Sequence, residues 1–237
     1  FPEQLSFHQQ LADIAQWQGK NKDALEQRLW LANKNPNKAE AALVLARALE
    51  NQQTIIDLYR LIAQSRSLQE KEVRELSAAF ENSNQIPAGK TFFRWYLDRH
   101  PRQLVALKLL ARLQQLSGDL ASAERTWYGI GLKEDQHVEA SIKRAQLYWE
   151  LKQRDAALET LMALQDQVNL KHSEYWRMLG DMAWKLDKNT VSIRAYSILL
   201  KQNIIDALVM ERLLLLEIRN GNTEQAIRYA KSGYARY

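Results

Sequence analysis

The chain has 237 residues, of which 46% are hydrophobic and 26% are charged, and this is enough apolar material for a substantial core. The absence of cysteine excludes disulfides, thiolate nucleophiles and cysteine-bound zinc, and no apolar run approaches the roughly 20 residues that span a bilayer. Eight glycines and four prolines are few turn-forming residues for a β-sheet protein of this length, so we predict an all-α fold. The formal net charge of the chain is +5.

Apolar residues recur at spacings of three and four along the chain, which is the pattern of amphipathic helices. Turn signals divide this pattern into seven consecutive helix pairs that form one domain. The second pair is degenerate and the seventh is incomplete. The predicted pairs span residues 5–38, 39–69, 70–103, 104–137, 138–171, 173–206 and 207–237.

The first three pairs differ in how well they keep the pattern. In the first pair, Gly19 at the turn stands five residues before Ala24. The second pair has no glycine at its turn, and Pro101 follows Pro36 by 65 residues (101 − 36), three fewer than two units of 34 residues. We therefore place a short deletion in the second pair. In the third pair, Gly89 takes the place of the alanine.

The later pairs are closer to one another. The fourth pair is the most regular, with a hinge at Gly118 and a small residue, Ala123, on the inner face of its second helix. In the fifth pair, Lys152 replaces the turn glycine. The sixth pair follows one extra residue and carries Trp176 and Tyr196 at inward positions.

A period of 34 residues with small residues on the inner helix faces resembles the tetratricopeptide repeat (TPR). The resemblance implies a TPR-type right-handed α-solenoid of about seven antiparallel helix pairs. A non-repeating helical bundle would not explain why Gly19, Gly118 and Gly221 each stand five residues before an alanine. The chain begins without an initiator Met and its last pair is incomplete, so we expect a fragment of a larger protein.

The sequence lacks the patterns on which catalysis or cofactor binding would depend. The four histidines, His8, His100, His137 and His172, form no metal-binding pair. Gly129-Ile130-Gly131 follows no strand, so it is not a dinucleotide motif. Pairs of carboxylates are no more frequent than 28 acidic residues would give by chance. We predict no catalytic residue, no metal, no cofactor and no enzymatic activity.

The TPR resemblance implies that the first helix of each pair lines a concave groove, and that its outward residues meet a partner. The lining mixes cations, amides and aromatic rings. Structural packing is the alternative role for its tryptophans, and a solvated surface is the alternative for its charges. The candidate partner-binding residues are Lys108, Arg112, Lys143, Gln146, Trp149, Arg177, Asp181 and Trp184.

Two short strings resemble a narrower family. Residues 174–184 (EYWRMLGDMAW) and 11–17 (LADIAQW) are similar to the periplasmic repeats of PelB-like exopolysaccharide export proteins. This resemblance implies a periplasmic part of an outer-membrane protein that recruits a PelA-like deacetylase or hydrolase during exopolysaccharide export and biofilm formation. A cytoplasmic location stays open.

Two other functions fit the composition. Trp149 and Trp184 could stack on a polysaccharide directly, although a deacetylated amino sugar is cationic and a protein of net charge +5 would attract it poorly. The groove could instead be a generic adaptor for an acidic peptide or another polyanion. Residues 86–112 carry a local net charge of +5 (six basic residues minus Asp98). Half of this segment lies on an outer second helix, which argues against nucleic-acid binding.

Overall fold

The computed structural model describes residues 2–202 and 207–234, and within them it is built of helices without a strand. The all-α class is confirmed, and the succession of helix pairs is consistent with an α-solenoid. Two short 3-10 helices, Pro36–Lys38 and Glu134–Gln136, lie between pairs. The α-helices of the described residues are α1 (Pro2–Trp17), α2 (Asn21–Lys34), α3 (Ala39–Ala48), α4 (Gln52–Ser65), α5 (Glu70–Asn82), α6 (Ile86–Arg99), α7 (Leu104–Leu116), α8 (Leu120–Gly131), α9 (His137–Glu150), α10 (Arg154–Met162), α11 (Ser173–Lys185), α12 (Asn189–Lys201), α13 (Ala207–Arg219) and α14 (Thr223–Tyr234).

Every first helix ends in the same kind of turn. A residue with φ between 51° and 76°, here called the turn residue, stands two positions after the last residue of the helix. Its N–H and the next N–H donate back to carbonyls of the last turn, as in Gly118 N to Gln115 O and Asp119 N to Gln114 O, both 2.9 Å. This is the Schellman motif, which satisfies the last carbonyls of a helix. The turn residues are Gly19, Glu50, Asn84, Gly118, Lys152, Asp187 and Gly221.

The spacing of the turn residues gives the repeat directly. Successive turn residues are 31, 34, 34, 34, 35 and 34 positions apart. The short interval ends at Glu50, and α3 has 10 residues where α5 and α7 have 13. The deletion predicted for the second pair therefore falls in α3. Each predicted sequence range corresponds to one helix pair, although α1 begins three residues before its range and α9 one residue before its own. The ranges themselves and their union in one domain stay predictions.

The chain forms two compact units, Phe1–Thr126 and Trp127–Tyr237, each with its own core. The core of the first unit includes Tyr59, Phe80, Phe93 and Tyr96, all fully buried. In the second unit, the largest fully buried side chains are Tyr175, Trp176 and Tyr196. The inward positions predicted at Trp176 and Tyr196 are confirmed.

Small residues allow close helix approach at particular points. A Cβ atom built on Gly180 of α11 would lie 2.5 Å from the Tyr196 ring of α12, so only glycine fits there. The predicted small residues on the second helices, such as Ala24 and Ala123, are buried. None of the described helices combines the length and apolar character that crossing a membrane requires.

Candidate partner-binding groove

The predicted groove residues are divided between the two units. Lys108 and Arg112 lie on α7 in the first unit. The others lie in the second unit, where α9 carries Lys143, Gln146 and Trp149, and α11 carries Arg177, Asp181 and Trp184.

A cavity of about 300 Å³ in the second unit brings three of the predicted residues together. Trp149 reaches it from α9, and Arg177 and Asp181 reach it from α11. Four further residues of α11, none of them among the predicted residues, complete its wall. The cavity, here called the second-unit cavity, is lined by Trp149, Glu174, Arg177, Met178, Asp181, Met182 and Lys185.

Trp149 is half-buried, and two cations lie near its indole. The Arg154 guanidinium carbon and the Lys185 Nζ are each 5.6 Å from the ring centroid. These are cation–π distances, and such contacts hold a flexible cationic side chain in place while it stays near solvent. Trp149 therefore both walls the cavity and positions Lys185 at its rim.

Trp184, also half-buried, repeats the arrangement one helix pair later. Its indole lies 5.0 Å from the Arg219 guanidinium carbon and 5.8 Å from that of Arg212. Trp149 and Trp184 each stand three residues before their turn residue, Lys152 and Asp187. The equivalent positions of successive first helices thus carry the same indole–cation contact.

Asp181 is part of a three-helix network. Tyr196 Oη of α12 donates to Asp181 Oδ1 at 2.7 Å, and Arg212 Nη1 of α13 donates to the same oxygen at 2.5 Å. Burial, followed by the hydrogen bond to Asp181, raises the pKa of the Tyr196 hydroxyl well above its usual range. Burial alone would lower the pKa of Arg212, but its bonds to Tyr196 and Asp181 outweigh that and raise it. This carboxylate oxygen is therefore bound within the protein.

Lys143 and Gln146 contact each other, with Lys143 Nζ donating to Gln146 Oε1 at 3.3 Å. Lys143 also lines a second cavity of about 290 Å³ in the same unit. Glu174 lines both cavities, so the two are neighbours. The residues around the second cavity are Asp135, Val138, Glu139, Ile142, Lys143, His172 and Glu174.

In the first unit the predicted cation Arg112 is already paired. Its Nε and Nη2 donate to both carboxylate oxygens of Glu81 on α5, at 2.8 to 3.2 Å. Hydrogen bonding to Glu81 raises the pKa of Arg112 above its usual value. Lys108 is half-buried on the same helix. The role of Arg112 visible in the structure is to join α5 and α7.

Three other cations of residues 86–112 also have partners. Lys90 Nζ and Arg94 Nη2 each lie 3.9 Å from Asp119 Oδ2, and Lys90 donates to Ser117 Oγ at 2.8 Å. The Arg99 guanidinium carbon lies 4.4 Å from the centroid of its neighbour Trp95.

Within residues 2–202 and 207–234, no group of three or more His, Cys, Asp and Glu side chains could hold a metal ion.

A second network in the first unit was not predicted. Tyr59 Oη of α4 donates to Glu75 Oε2 of α5 at 2.6 Å, and Arg47 of α3 donates to both Glu75 oxygens at 2.6 and 3.0 Å. Burial alone would raise the pKa of Glu75, but the bonds from Arg47 and Tyr59 hold it below its usual value. The sequence signal was a tyrosine nine residues after the turn residue, as at Tyr196.

Comparison with known proteins fits this architecture. A family model described as a tetratricopeptide repeat matches residues 131–237. This match supports the TPR resemblance over that part of the chain. A chain of the Naa15/Naa10 structure bound to HypK-THB superposes with a TM-score of 0.68 at 19% identity, over 95% of this chain and 35% of that one. This chain thus spans about a third of the length of that chain.

Two bacterial structures are also similar in fold. A tetratricopeptide repeat protein from Parabacteroides merdae gives a TM-score of 0.52 at 12% identity, over 98% of this chain and 93% of that one. MamA from Desulfovibrio magneticus RS-1 gives 0.54 at 14% identity, over 70% of this chain and 93% of that one. Among curated proteins, no sequence matches this chain. The resemblance to PelB-like export proteins stays a prediction.

Proposed function

We propose that the protein is a non-catalytic scaffold that binds a protein partner at the second-unit cavity. The TPR-like fold supports a protein-interaction role. We place partner binding here because of the cavity, which has an apolar wall of Trp149, Met178 and Met182 below a charged rim. Concave, mostly apolar sites with a few polar groups at the edge are where proteins bind side chains of other molecules.

The proposed mode of binding follows from the lining. One large apolar side chain of the partner enters the cavity, where the flexible thioethers of Met178 and Met182 adapt to its shape. Arg177 and the Trp149-positioned Lys185 then contact polar or acidic groups that flank this anchor. A buried anchor supplies most of the affinity, and the rim charges supply orientation and partner choice.

The partner we propose is a PelA-like deacetylase or hydrolase, recruited in the periplasm by a repeat region of an outer-membrane protein during exopolysaccharide export and biofilm formation. The support is the resemblance of residues 11–17 and 174–184 to PelB-like repeats. The second of these strings supplies Arg177, Met178, Asp181 and Met182 of the cavity, so the resemblance and the site coincide.

Titration calorimetry of the chain with a purified PelA-like enzyme tests the proposal. Arg177→Glu should weaken binding by at least about tenfold, since it places a carboxylate at the rim beside Glu174. The matched control is Arg194→Glu on α12, an exposed arginine outside the cavity lining. Equal effects of the two substitutions, or none from either, would show that the cavity is not the binding surface.

Direct polysaccharide binding is the second candidate, because Trp149 and Trp184 occupy equivalent positions on successive first helices. Sugars stack on the faces of indoles, and here two cations of the chain already lie near each indole. This favours the protein partner. Saturable quenching of tryptophan fluorescence by acetylated or deacetylated oligosaccharides, lost in Trp149→Ala, would favour the polysaccharide instead.

A further inference from the structure

Two successive helix pairs of the second unit repeat one contact between an indole and a cation. Trp149 stands three residues before its turn residue, and Nζ of Lys185, on the next first helix, lies 5.6 Å from the ring centroid. Trp184 stands at the equivalent position of the next pair, and the guanidinium carbon of Arg219, again on the following first helix, lies 5.0 Å from its centroid. Lys185 and Arg219 each stand two residues before their turn residue. The same contact thus recurs from α9 to α11 and from α11 to α13.

The position of these two cations faces solvent in every helix pair. The residue two positions before the turn residue is exposed in all seven pairs, so the exposure of Lys185 and Arg219 follows from the repeat geometry. A tryptophan comes directly before this position in the fifth and sixth pairs alone. The alternation of indole and cation is therefore specific to the second unit. The other five residues at the exposed position, none of them a cation, are Trp17, Ala48, Asn82, Leu116 and Glu150.

Arg154 adds a third cation to this surface. Its guanidinium carbon lies 5.6 Å from the Trp149 centroid, and its side chain is exposed at the beginning of α10. Arg212 also lies near Trp184, but its guanidinium is bound to the Asp181 carboxylate, so we leave it out. The surface, here called the indole–cation strip, is formed by Trp149, Arg154, Trp184, Lys185 and Arg219.

The three cations of the strip have at most a weak ion pair within the protein. Among the described residues, neither Arg154 nor Lys185 forms an ion pair. Arg219 Nη1 lies 3.8 Å from Asp187 Oδ1, but both side chains are largely exposed, so solvent weakens their attraction. Arg112 of the first unit differs, because both oxygens of a carboxylate bind it.

A ring that restrains a cation also prepares that cation for an external anion. A cation–π contact orders a long side chain and leaves its N–H donors accessible. An arriving carboxylate then costs less side-chain entropy, because the cation is already ordered. Hydrogen bonds between charged groups are shorter and stronger than those between neutral groups. A row of restrained, exposed cations is therefore complementary to a row of carboxylates.

The opposite ends of the same helices carry acids. Glu139 in the first turn of α9 and Glu174 in the first turn of α11 are both exposed, and both line the cavity that neighbours the second-unit cavity. An acidic segment is repelled there and attracted to the ends that carry the strip. Lys185 lines the second-unit cavity and also contacts Trp149, so the strip begins at the rim of that cavity.

We propose that the indole–cation strip binds an acidic segment of the protein partner, in which aspartates or glutamates adjoin the apolar side chain that enters the second-unit cavity. The apolar anchor fixes the segment beside Trp149, and the adjoining carboxylates bond Lys185 and then Arg219 along the row of first helices. The inference rests on the proposed function, since the anchor lies in the cavity, and it adds the chemical class of sequence that the site selects.

Titration calorimetry with two synthetic peptides tests the inference. Each peptide has one phenylalanine between two blocks of about four residues, glutamates in one peptide and glutamines in the other, and both have uncharged termini. In about 50 mM NaCl the glutamate peptide should bind at least about tenfold more tightly than the glutamine peptide, and about 300 mM NaCl should remove most of this preference. Arg219→Glu should also remove it, without changing the Kd of the glutamine peptide.

Arg194→Glu is the matched control, since it makes the same charge change at an exposed residue of α12 in the same unit. It should leave the ratio of the two Kd values within about twofold of the wild-type ratio. Trp184→Leu should raise the Kd of the glutamate peptide about two- to fivefold, because Arg219 loses the ring that restrains it. Circular dichroism should show the same helix content in all variants, and Arg219→Gln repeats the test if Arg219→Glu fails to fold.

Met178→Gln separates this inference from the proposed function, because it makes the cavity wall polar without adding a charge. If both peptides weaken in Met178→Gln but the wild-type chain shows no preference for glutamate, the cavity stands and the strip is wrong. If the glutamate preference survives Met178→Gln with unchanged affinities and is lost in Arg219→Glu, the strip stands and the cavity is wrong. No binding of the glutamate peptide at about 1 mM, or equal effects of Arg219→Glu and Arg194→Glu, would also overturn the inference.

Discussion

The two units carry the same three-helix network with the charges exchanged. In each, a tyrosine nine residues after the turn residue joins a side chain of its own first helix to one of the next first helix. Around Tyr59, the arginine (Arg47) comes from its own pair and the acid (Glu75) from the next. Around Tyr196, the acid is Asp181 of its own pair and the arginine comes from the next.

A tyrosine hydroxyl explains why both arrangements work. It donates to a carboxylate and accepts from a guanidinium at the same time, so either neighbour can supply either charge. The tyrosine position is therefore the same in both networks. The acid and the arginine can each come from either of the two first helices that the tyrosine joins.

The two networks differ in whether ion pairs or a cavity lie beside them. In the first unit, Arg47 also bonds Glu40, and Arg112 is bound to both oxygens of Glu81. In the second unit, Arg212 lies near Trp184, and Asp181 borders the 300 Å³ cavity. Equivalent positions are thus used for internal ion pairs in one unit and for a cavity with positioned cations in the other.

The largest loss of stability should come from Gly180→Ala, which disrupts the Tyr196 network sterically without removing a charge. A Cβ atom 2.5 Å from the Tyr196 ring forces α11 and α12 apart, and we expect a loss of about 2–3 kcal/mol in unfolding free energy. Gly129→Ala on α8, with nothing within 4 Å of the added atom, should be neutral or stabilising by about 0.5–1 kcal/mol. Urea denaturation measures both, and a loss below about 0.5 kcal/mol for Gly180→Ala would contradict the packing described.

Replacing the arginine of each network should cost different amounts of stability in the two units. Arg47→Met leaves the carboxylate of Glu75 with Tyr59 as its remaining partner in the network, and we expect a loss of about 1–2 kcal/mol. Arg212→Met should cost less, since Arg212 bonds a single oxygen of Asp181. Arg228→Met, which breaks an exposed pair with Glu224 on α14, should change stability by less than about 0.5 kcal/mol. If Arg228→Met matches Arg47→Met, the network contributes nothing beyond a surface pair.

Acid should weaken the first network through Glu75. Burial opposes ionisation of this carboxyl, but Arg47 and Tyr59 hold its pKa below the ordinary value of 4.5. A carboxyl whose pKa is lowered by folding stabilises the protein above the unfolded pKa, and that stability is lost as the pH falls through the folded pKa. Glu75→Gln should therefore lose less stability than the wild-type chain between pH 5 and more acidic conditions. Parallel curves for the two proteins would show that Glu75 is not a source of the acid sensitivity.

The smallest effect should come from the turns, which are alike in the two units. Lys152 adopts φ 66°, a conformation that glycine adopts without the steric cost borne by other residues. We expect Lys152→Gly to raise the midpoint of thermal unfolding, by an amount equivalent to at most about 1 kcal/mol. Gly118→Ala at φ 74° should lower it by a similar amount. Changes of the same sign in the two variants would be inconsistent with the turn geometry.

Local features of the fold were predictable from the sequence, and contacts between distant residues were not. Gly118 at a hinge and Lys152 in place of a turn glycine follow from helical spacing, because a turn is encoded within a few residues. Both positions are confirmed by their positive φ values. The Tyr59 network was missed, since it needs side chains from three helices in one place.

The candidate site shows the same limit. Trp149 and Arg177 were chosen from their positions on first helices, and the structure places both at one cavity. Met182 was not chosen, because whether it walls a cavity depends on packing between helices. Arg112 was chosen as a groove cation, but Glu81, 31 residues earlier, binds it. A charge run in a sequence does not reveal which of its members are paired in the fold.

The most direct test of the central claim compares the same position in the two units. Met178 and Leu109 each stand nine residues before their turn residue and are half-buried, but only Met178 lines the second-unit cavity. In titration calorimetry with a purified PelA-like enzyme, Met178→Lys should weaken binding by at least about tenfold, and Leu109→Lys should leave it within about twofold. Equal weakening by both, or weakening by Leu109→Lys alone, would contradict the assignment of partner binding to the second unit.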